Sequence, residues 1–146
     1  MTKSYHLCYF LNTPIIEVIQ INTPLTQEEF ERAKGFIARM RPLIKFGEYT
    51  IQRNWKNEEF EETYPMRDAD RRRILDSLSA EDCIRINRNT NPRYDDAEVF
   101  VFLKDAAVYI YGEMENIKLY IKMYIRETKS HDLVIVISFH KEGQYD

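Results

Sequence analysis

The pattern of apolar and polar positions is clearest near the C-terminal end of the chain. Residues 118–126 alternate strictly. Leu119, Ile121, Met123 and Ile125 fall on one side; Lys118, Tyr120, Lys122, Tyr124 and Arg126 fall on the other. A period of two with one apolar side marks a strand with one face in a core. Residues 133–140 follow as a β-branched run with Ser138 and His140 near its end. The stretch between, 127–132, has no apolar residue and can close a hairpin through a longer loop. A one-residue slip in pairing would lay the apolar row of one strand against the charged row of the other, so burial sets the register. If the two residue numbers of each opposed pair sum to an even value near 260, Tyr120 lies opposite His140, Ile121 opposite Phe139, Lys122 opposite Ser138 and Met123 opposite Ile137. A two-residue slip would change the partners but not the faces. Leu119, Ile121, Ile135, Ile137 and Phe139 are expected in the core, with Tyr120, Lys122, Ser138 and His140 together on the other face.

Upstream, two apolar runs at 5–11 and 15–21 flank the turn signal Asn12-Thr13-Pro14 and predict a hairpin. Thr26-Gln27-Glu28-Glu29 is a capping box. It predicts a helix from Gln27 to Met40 with Phe30, Ala33, Ile37 and Met40 inward, ended by Pro42, which disfavours helical geometry at Arg41. A short strand over 48–53 and a short acidic helix over 58–64 come next. A helix over 68–78, capped by Asp68, then places Ile74, Leu75 and Leu78 inward. Ser79–Asp82 repeats a cap signal and opens one more turn, with Cys83 and Ile84 on its apolar side. Residues 87–96 read as a polar loop, and Val99–Leu103 and Val108–Gly112 as two strands. The order predicts a single α+β domain over 1–146, an antiparallel sheet with helices packed on one face. Residues 1–24 would be a hairpin extension.

The composition fits a globular chain: 146 residues, 44% hydrophobic and 31% charged, long enough to build a core without staples. There is no apolar run of membrane-spanning length and no secretory leader pattern, so a cytoplasmic protein with Cys8 and Cys83 as free thiols is expected. The net charge of −3 argues against a general nucleic-acid binder, but the charge is uneven. Residues 32–56 hold seven basic side chains against Glu48; residues 58–70 hold six acids against Arg67; Arg71, Arg72 and Arg73 follow. Glycine-rich phosphate loops, His-Glu-x-x-His and Cys-x-x-Cys are absent. His6 and Cys8 are too few for a metal site, and no cofactor is expected.

Several segments come in an order that resembles the MqsR-type toxins, RelE-like ribonucleases of bacterial toxin–antitoxin pairs. They are Arg53-Asn54 with Asn57, Arg72-Arg73-Ile74-Leu75-Asp76-Ser77-Leu78-Ser79, Glu81-Asp82, Asn91-Pro92, Val99-Phe100-Val101-Phe102, Tyr120-Ile121-Lys122 and Ile137-Ser138-Phe139-His140. The resemblance covers about residues 48–142 and is most specific in Tyr-Ile-Lys … Ser-Phe-His. It implies a RelE-like fold, metal-independent cleavage of mRNA and neutralisation by an antitoxin protein. It also implies site roles for Tyr120, Lys122, His140 and Arg85. The polar residue of the middle strand has no single match, since Val99–Phe102 and Val108–Gly112 could each be that strand. The N-terminal 24 residues fall outside the pattern, and the acidic net charge departs from the usual basic toxin.

The residue types suit that chemistry. Metal-free RNA cleavage uses the 2′-hydroxyl as nucleophile and needs a base, an acid and a cation on the phosphate. His140 can move protons near neutral pH. Lys122 and Arg85 can hold developing negative charge. Tyr120 can stack on a base or donate to phosphate. Lys118, Tyr124 and Arg126 extend the row as RNA-binding candidates. The same alternation is what any half-exposed antiparallel strand shows. A RelE-like domain without catalysis, or an unrelated α+β interaction module, would carry it too.

Overall fold

The computed structural model describes residues 6–10, 13–17, 24–88 and 97–143. Strands β1 (His6–Phe10) and β2 (Thr13–Glu17) pair antiparallel, in line with the expected hairpin. Residues 18–21 of the second run, the Asn91-Pro92 loop, and the side chains of His6 and Cys8 lie outside the described residues. The remaining elements are α1 (Gln27–Lys45), β3 (Tyr49–Ile51), α2 (Trp55–Thr63), α3 (Asp68–Asp76), a 3₁₀ turn (Ala80–Asp82), β4 (Cys83–Arg88), β5 (Glu98–Ile110), β6 (Glu113–Glu127) and β7 (Asp132–Lys141). The fold is α+β. The five main strands form one sheet in the order β3-β7-β6-β5-β4.

Helix α1 begins at the expected capping box: Glu29 N–H donates to Thr26 Oγ1, and Thr26 N–H donates to the Glu29 carboxylate. It does not stop before Pro42 but runs on to Lys45 with the proline inside. The extra turn buries Ile44 completely, extending the stripe Ala33, Ile37, Met40. Burying a side chain of this size returns about 1.5–3 kcal/mol, which offsets much of the roughly 3 kcal/mol a helical proline costs. The helix then closes in a Schellman motif. Gly47 N–H donates to Ile44 O and Glu48 N–H to Leu43 O, with Gly47 at φ +76°, a conformation glycine adopts without penalty.

That turn delivers the chain into β3, which pairs parallel with β7. The sheet is therefore mixed, not purely antiparallel as expected. Three further expectations are corrected. The segment after Asp82 is strand β4, paired antiparallel with β5. The two strands expected over 99–112 are one strand, β5, held continuous by its ladder with β6. Asp68 is the first residue of α3, whose N-cap is Arg67; Asp68 contributes charge near the helix start, not a cap bond. The cap at Ser79 is as expected, with Ser79 N–H donating to Asp82.

One apolar cluster joins Phe36, Ile37, Met40 and Ile44 of α1, Phe60 of α2 and Ile74 and Leu75 of α3 to Leu119, Ile121, Met123 and Ile125 of β6. Phe36 stacks on Phe100 with ring centroids 4.1 Å apart. A second, smaller cluster of Val99, Tyr124 and Ile135 lies on the other side of the sheet, the side that carries Tyr120 and Lys122. Among the described residues no helix is long and apolar enough to cross a membrane.

Candidate active site

The β6–β7 register near the end of β7 is the expected one: Tyr120 opposite His140, Ile121 opposite Phe139, Lys122 opposite Ser138. It then shifts by one residue, so that Met123 faces Val136 and not Ile137. Ile137 is the extra residue of a β-bulge. The bulge lets Val134 and Val136 enter the main core with Phe139, although simple alternation cannot place all three there with His140 outward. Ile135 is buried as expected but in the second cluster, and Ile137 is only partly buried against it. The expectation that both join the core row of Ile121 is thus corrected.

Two asparagines hold this bulge from the sheet edge. Beyond Gln52, whose N–H still donates to Val136 O, the backbone of β3 leaves the ladder. The Asn57 side chain replaces it: its Nδ2 donates to Ile137 O (3.0 Å) and its Oδ1 accepts from Phe139 N–H (2.9 Å). That is how a parallel neighbour would bond around Ser138. Asn54, the N-cap of α2, adds a second bond to Ile137 O at 2.8 Å. Asn57 is buried with both ends of its amide used. Neither asparagine was among the candidate site residues. The signal was present in Arg53-Asn54-x-x-Asn57: Asn54 suits an N-cap, but three residues later a capping box would hold Glu or Gln.

Across the sheet, Arg85 of β4 faces Val101 of β5, Val101 faces Lys122 of β6, and Lys122 faces Ser138 of β7. Arg85 and Lys122 stand two strand spacings apart, about 10 Å between backbones, over a fully buried Val101. Tyr120 joins the row from the side. Its ring stacks on His140 with centroids 5.4 Å apart and 22° between planes, and its hydroxyl accepts from Arg85 Nη2 at 2.8 Å. The His140 ring is buried. Its Nδ1 lies 3.1 Å from Lys141 O; a carbonyl only accepts, so a hydrogen bond there uses the tautomer with the proton on Nδ1.

Lys122 is half-buried and has no acidic partner among the described residues. Burial, with the charge of Arg85 added, pushes its ammonium below the ordinary lysine range. Lys122 and Arg85 thus bring two cationic side chains over an apolar floor at Val101.

Of the sequence candidates, the structure thus brings together Tyr120, Lys122, His140 and Arg85. Arg85 arrives by strand β4. Lys118 and Arg126 share the face at its two ends. Lys118 is exposed, 3.9 Å from Asp105, and Arg126 Nη2 donates to Tyr124 Oη at 3.3 Å. Tyr124 is corrected as an RNA-stacking candidate: it is 1% exposed, its ring enclosed between Val99 and Ile135, and it offers no face to a base. No family model, no curated protein and no solved structure matches this chain.

Proposed function

We propose that the protein is a metal-independent endoribonuclease of the RelE-like, MqsR-type kind, acting on mRNA in the cytoplasm and silenced by an antitoxin that covers the Tyr120–His140 face. The observation that carries this reading is the gathering of Arg85, bonded to the Tyr120 hydroxyl, and Lys122 beside a tyrosine-stacked imidazole. The pair holds the scissile phosphate and the negative charge that grows on it. His140 moves the proton through Nε2, either from the 2′-hydroxyl or to the leaving 5′-oxygen. Tyr120, bonded to Arg85 and stacked on His140, keeps cation and imidazole in fixed relation and presents its hydroxyl to the phosphate. The chemistry needs a base, an acid and cations: His140 serves one of the two proton transfers, the Tyr120 hydroxyl the other, and Arg85 with Lys122 supplies the positive charge.

The net charge of −3 favours a second reading, a domain of this fold that binds a partner and no longer cuts. Expression in a bacterial host separates the two. The ribonuclease arrests growth and cleaves RNA in EDTA, and His140→Ala lowers the cleavage rate by about 10²–10⁴-fold, the usual contribution of a positioned proton-transfer group. Full cleavage by His140→Ala, or a strict Mg²⁺ requirement, overturns the ribonuclease reading.

A further inference from the structure

Strand β3 forms one edge of the sheet, and among the described residues only β7 pairs with it. Val134 N–H donates to Glu48 O, and Gln52 N–H donates to Val136 O. Along a strand, alternate residues turn their main-chain groups to the same neighbour. Glu48, Thr50 and Gln52 therefore serve β7, while Tyr49 and Ile51 each turn an N–H and a C=O away from it. Outward groups of this kind are a template for another strand. The run Tyr-Thr-Ile is made of strong strand formers, with no proline, bulge or lysine to blunt the edge.

The edge opens into a groove of about 390 Å³, which residues 49–53 line without a gap. Neighbouring residues of a strand point to opposite faces, so an unbroken run sets the groove along the edge and not over one face. Helices α2 and α3 supply most of the remaining lining. Phe60 and Phe139, packed edge to face with centroids 6.1 Å apart, give the groove an apolar part. Two features limit what can enter. The helices alongside keep out the edge of a second sheet, because a second copy of this chain would bring its own helices with it; a single extended chain has no such burden. The charges of the lining balance: Arg53, Arg71 and Arg72 stand with Glu58, Glu61 and Asp68, Arg71 3.6 Å from Glu61 and Arg72 3.9 Å from Asp68. A groove without net charge does not draw a polyanion, and nucleic acid has no peptide main chain to pair with the strand.

We propose that this groove docks an extended peptide segment of a partner protein, which joins the five-stranded sheet as a further strand beside β3. Its main chain pairs with the outward groups of Tyr49 and Ile51, and apolar side chains at alternate positions lie against Phe60 and Phe139. Main-chain bonds give such a contact its affinity, and the pocket for alternate side chains gives it selectivity. The groove is separate from the Tyr120–His140 face and serves a partner whether or not the protein cuts RNA. Asn57 connects the two: it lines the groove and also bonds Ile137 O and Phe139 N–H at the bulge. A seated segment therefore touches the residue that holds the end of β7.

The test is a selection of short random peptides displayed on phage against the whole chain, followed by amide hydrogen exchange with synthetic copies of the selected peptides. In the free protein the amides of Thr50 and Gln52 exchange slowly and those of Tyr49 and Ile51 quickly. Selected peptides carry apolar residues at alternate positions and slow exchange at Tyr49 and Ile51. Methylating one alternate set of peptide nitrogens abolishes binding and methylating the other set does not, because only one set faces β3. Ile51→Pro removes an outward donor where an edge strand tolerates proline. It weakens binding by about 5-fold or more, the least cost of one orphaned partner, whereas Thr50→Ala, which alters no outward main-chain group, keeps it. If Ile51→Pro does not fold, the methylated peptides decide alone. A selection without binders, or binders that leave Tyr49 and Ile51 exchanging as before, overturns the proposal. So does binding indifferent to methylation of either set. Slowing of the same two amides by a single-stranded RNA would give the groove to nucleic acid and overturn it as well.

Discussion

Lys122 carries an ammonium that the fold does little to accommodate. It is half-buried, it feels the charge of Arg85 two strands away, and no carboxylate among the described residues answers it. With its folded value below the ordinary 10.5, the native state binds fewer protons than the unfolded chain between those two values. Stability therefore rises with pH through that window, and below it the charged lysine costs stability in full. Lys122→Met should be more stable than the native protein at pH 7 by urea denaturation, and the difference should shrink as pH climbs toward 10.5. Inorganic phosphate should stabilise the native protein and have less effect on the variant. A native protein unmoved by phosphate, or no less stable than Lys122→Met, would remove the anion site. At this scale much was legible in the sequence. Strict alternation over 118–126 names the face of every residue, while the Tyr120–His140 and Lys122–Ser138 pairs needed one register among several of the same parity. Tyr124 shows the limit. Alternation says which side a residue points to, not what covers that side; Val99 of β5 and Ile135 of β7, on the two neighbouring strands, enclose the ring.

The element that decides the site geometry is the β7 edge, and it is held by side chains where a strand has ended. Asn57→Ala would strand the buried Phe139 N–H and remove one of the donors to Ile137 O. The expected loss is about 1–3 kcal/mol, the usual cost of an orphaned buried group. Asn57→Asp, which keeps the acceptor and loses the donor, should fall between. Amide exchange at Phe139 should quicken in Asn57→Ala, and RNA cleavage should drop with it. Unchanged exchange at Phe139 would show that the asparagine does not hold the bulge. The bulge itself is not legible in the sequence, because residues 133–137 are apolar without interruption and carry no phase in which an extra residue would show. Direction was equally silent: periodicity marks β3 as a strand but not as a parallel one. Strand β4 read as a turn because Arg85, Asn87 and Arg88 break the apolar pattern after a clear cap signal at Ser79–Asp82. Lys104-Asp105-Ala106-Ala107, weak strand formers, made β5 look like two strands; the pairing with β6 overrides them. Pro42 marked a stop that the burial of Ile44 overrode.

Over the whole molecule the balance of charge is negative, yet the face built from β4 to β7 carries Arg85, Lys118, Lys122 and Arg126. RNA binding should therefore be local and steeply salt-dependent, not general. Two or three phosphate contacts correspond to a log–log salt slope of about −1.4 to −2.1 for a single strand, and removing one by Lys122→Ala should flatten it by about 0.7. Arg126→Ala should change it less, since that guanidinium is bonded to the Tyr124 hydroxyl. A filter-binding titration at several salt concentrations measures both. A slope indifferent to Lys122→Ala would take RNA out of the account. An antitoxin that silences the protein would place acidic residues over the same cations, which would also speed its association.

The bulge at Ile137 has a consequence for how such a chain can change over time. It works as a clutch in the middle of β7. The half before it is geared to the core through Val134 and Val136, and the half after it to the site through Ser138 and His140. Because the extra residue absorbs the mismatch between the two, a core substitution at Val134 or Val136 need not turn His140 out of line. A new side chain at 138 or 140 need not disturb the core. Packing and chemistry in this strand are free to drift separately, as long as the asparagines at the edge keep the clutch engaged.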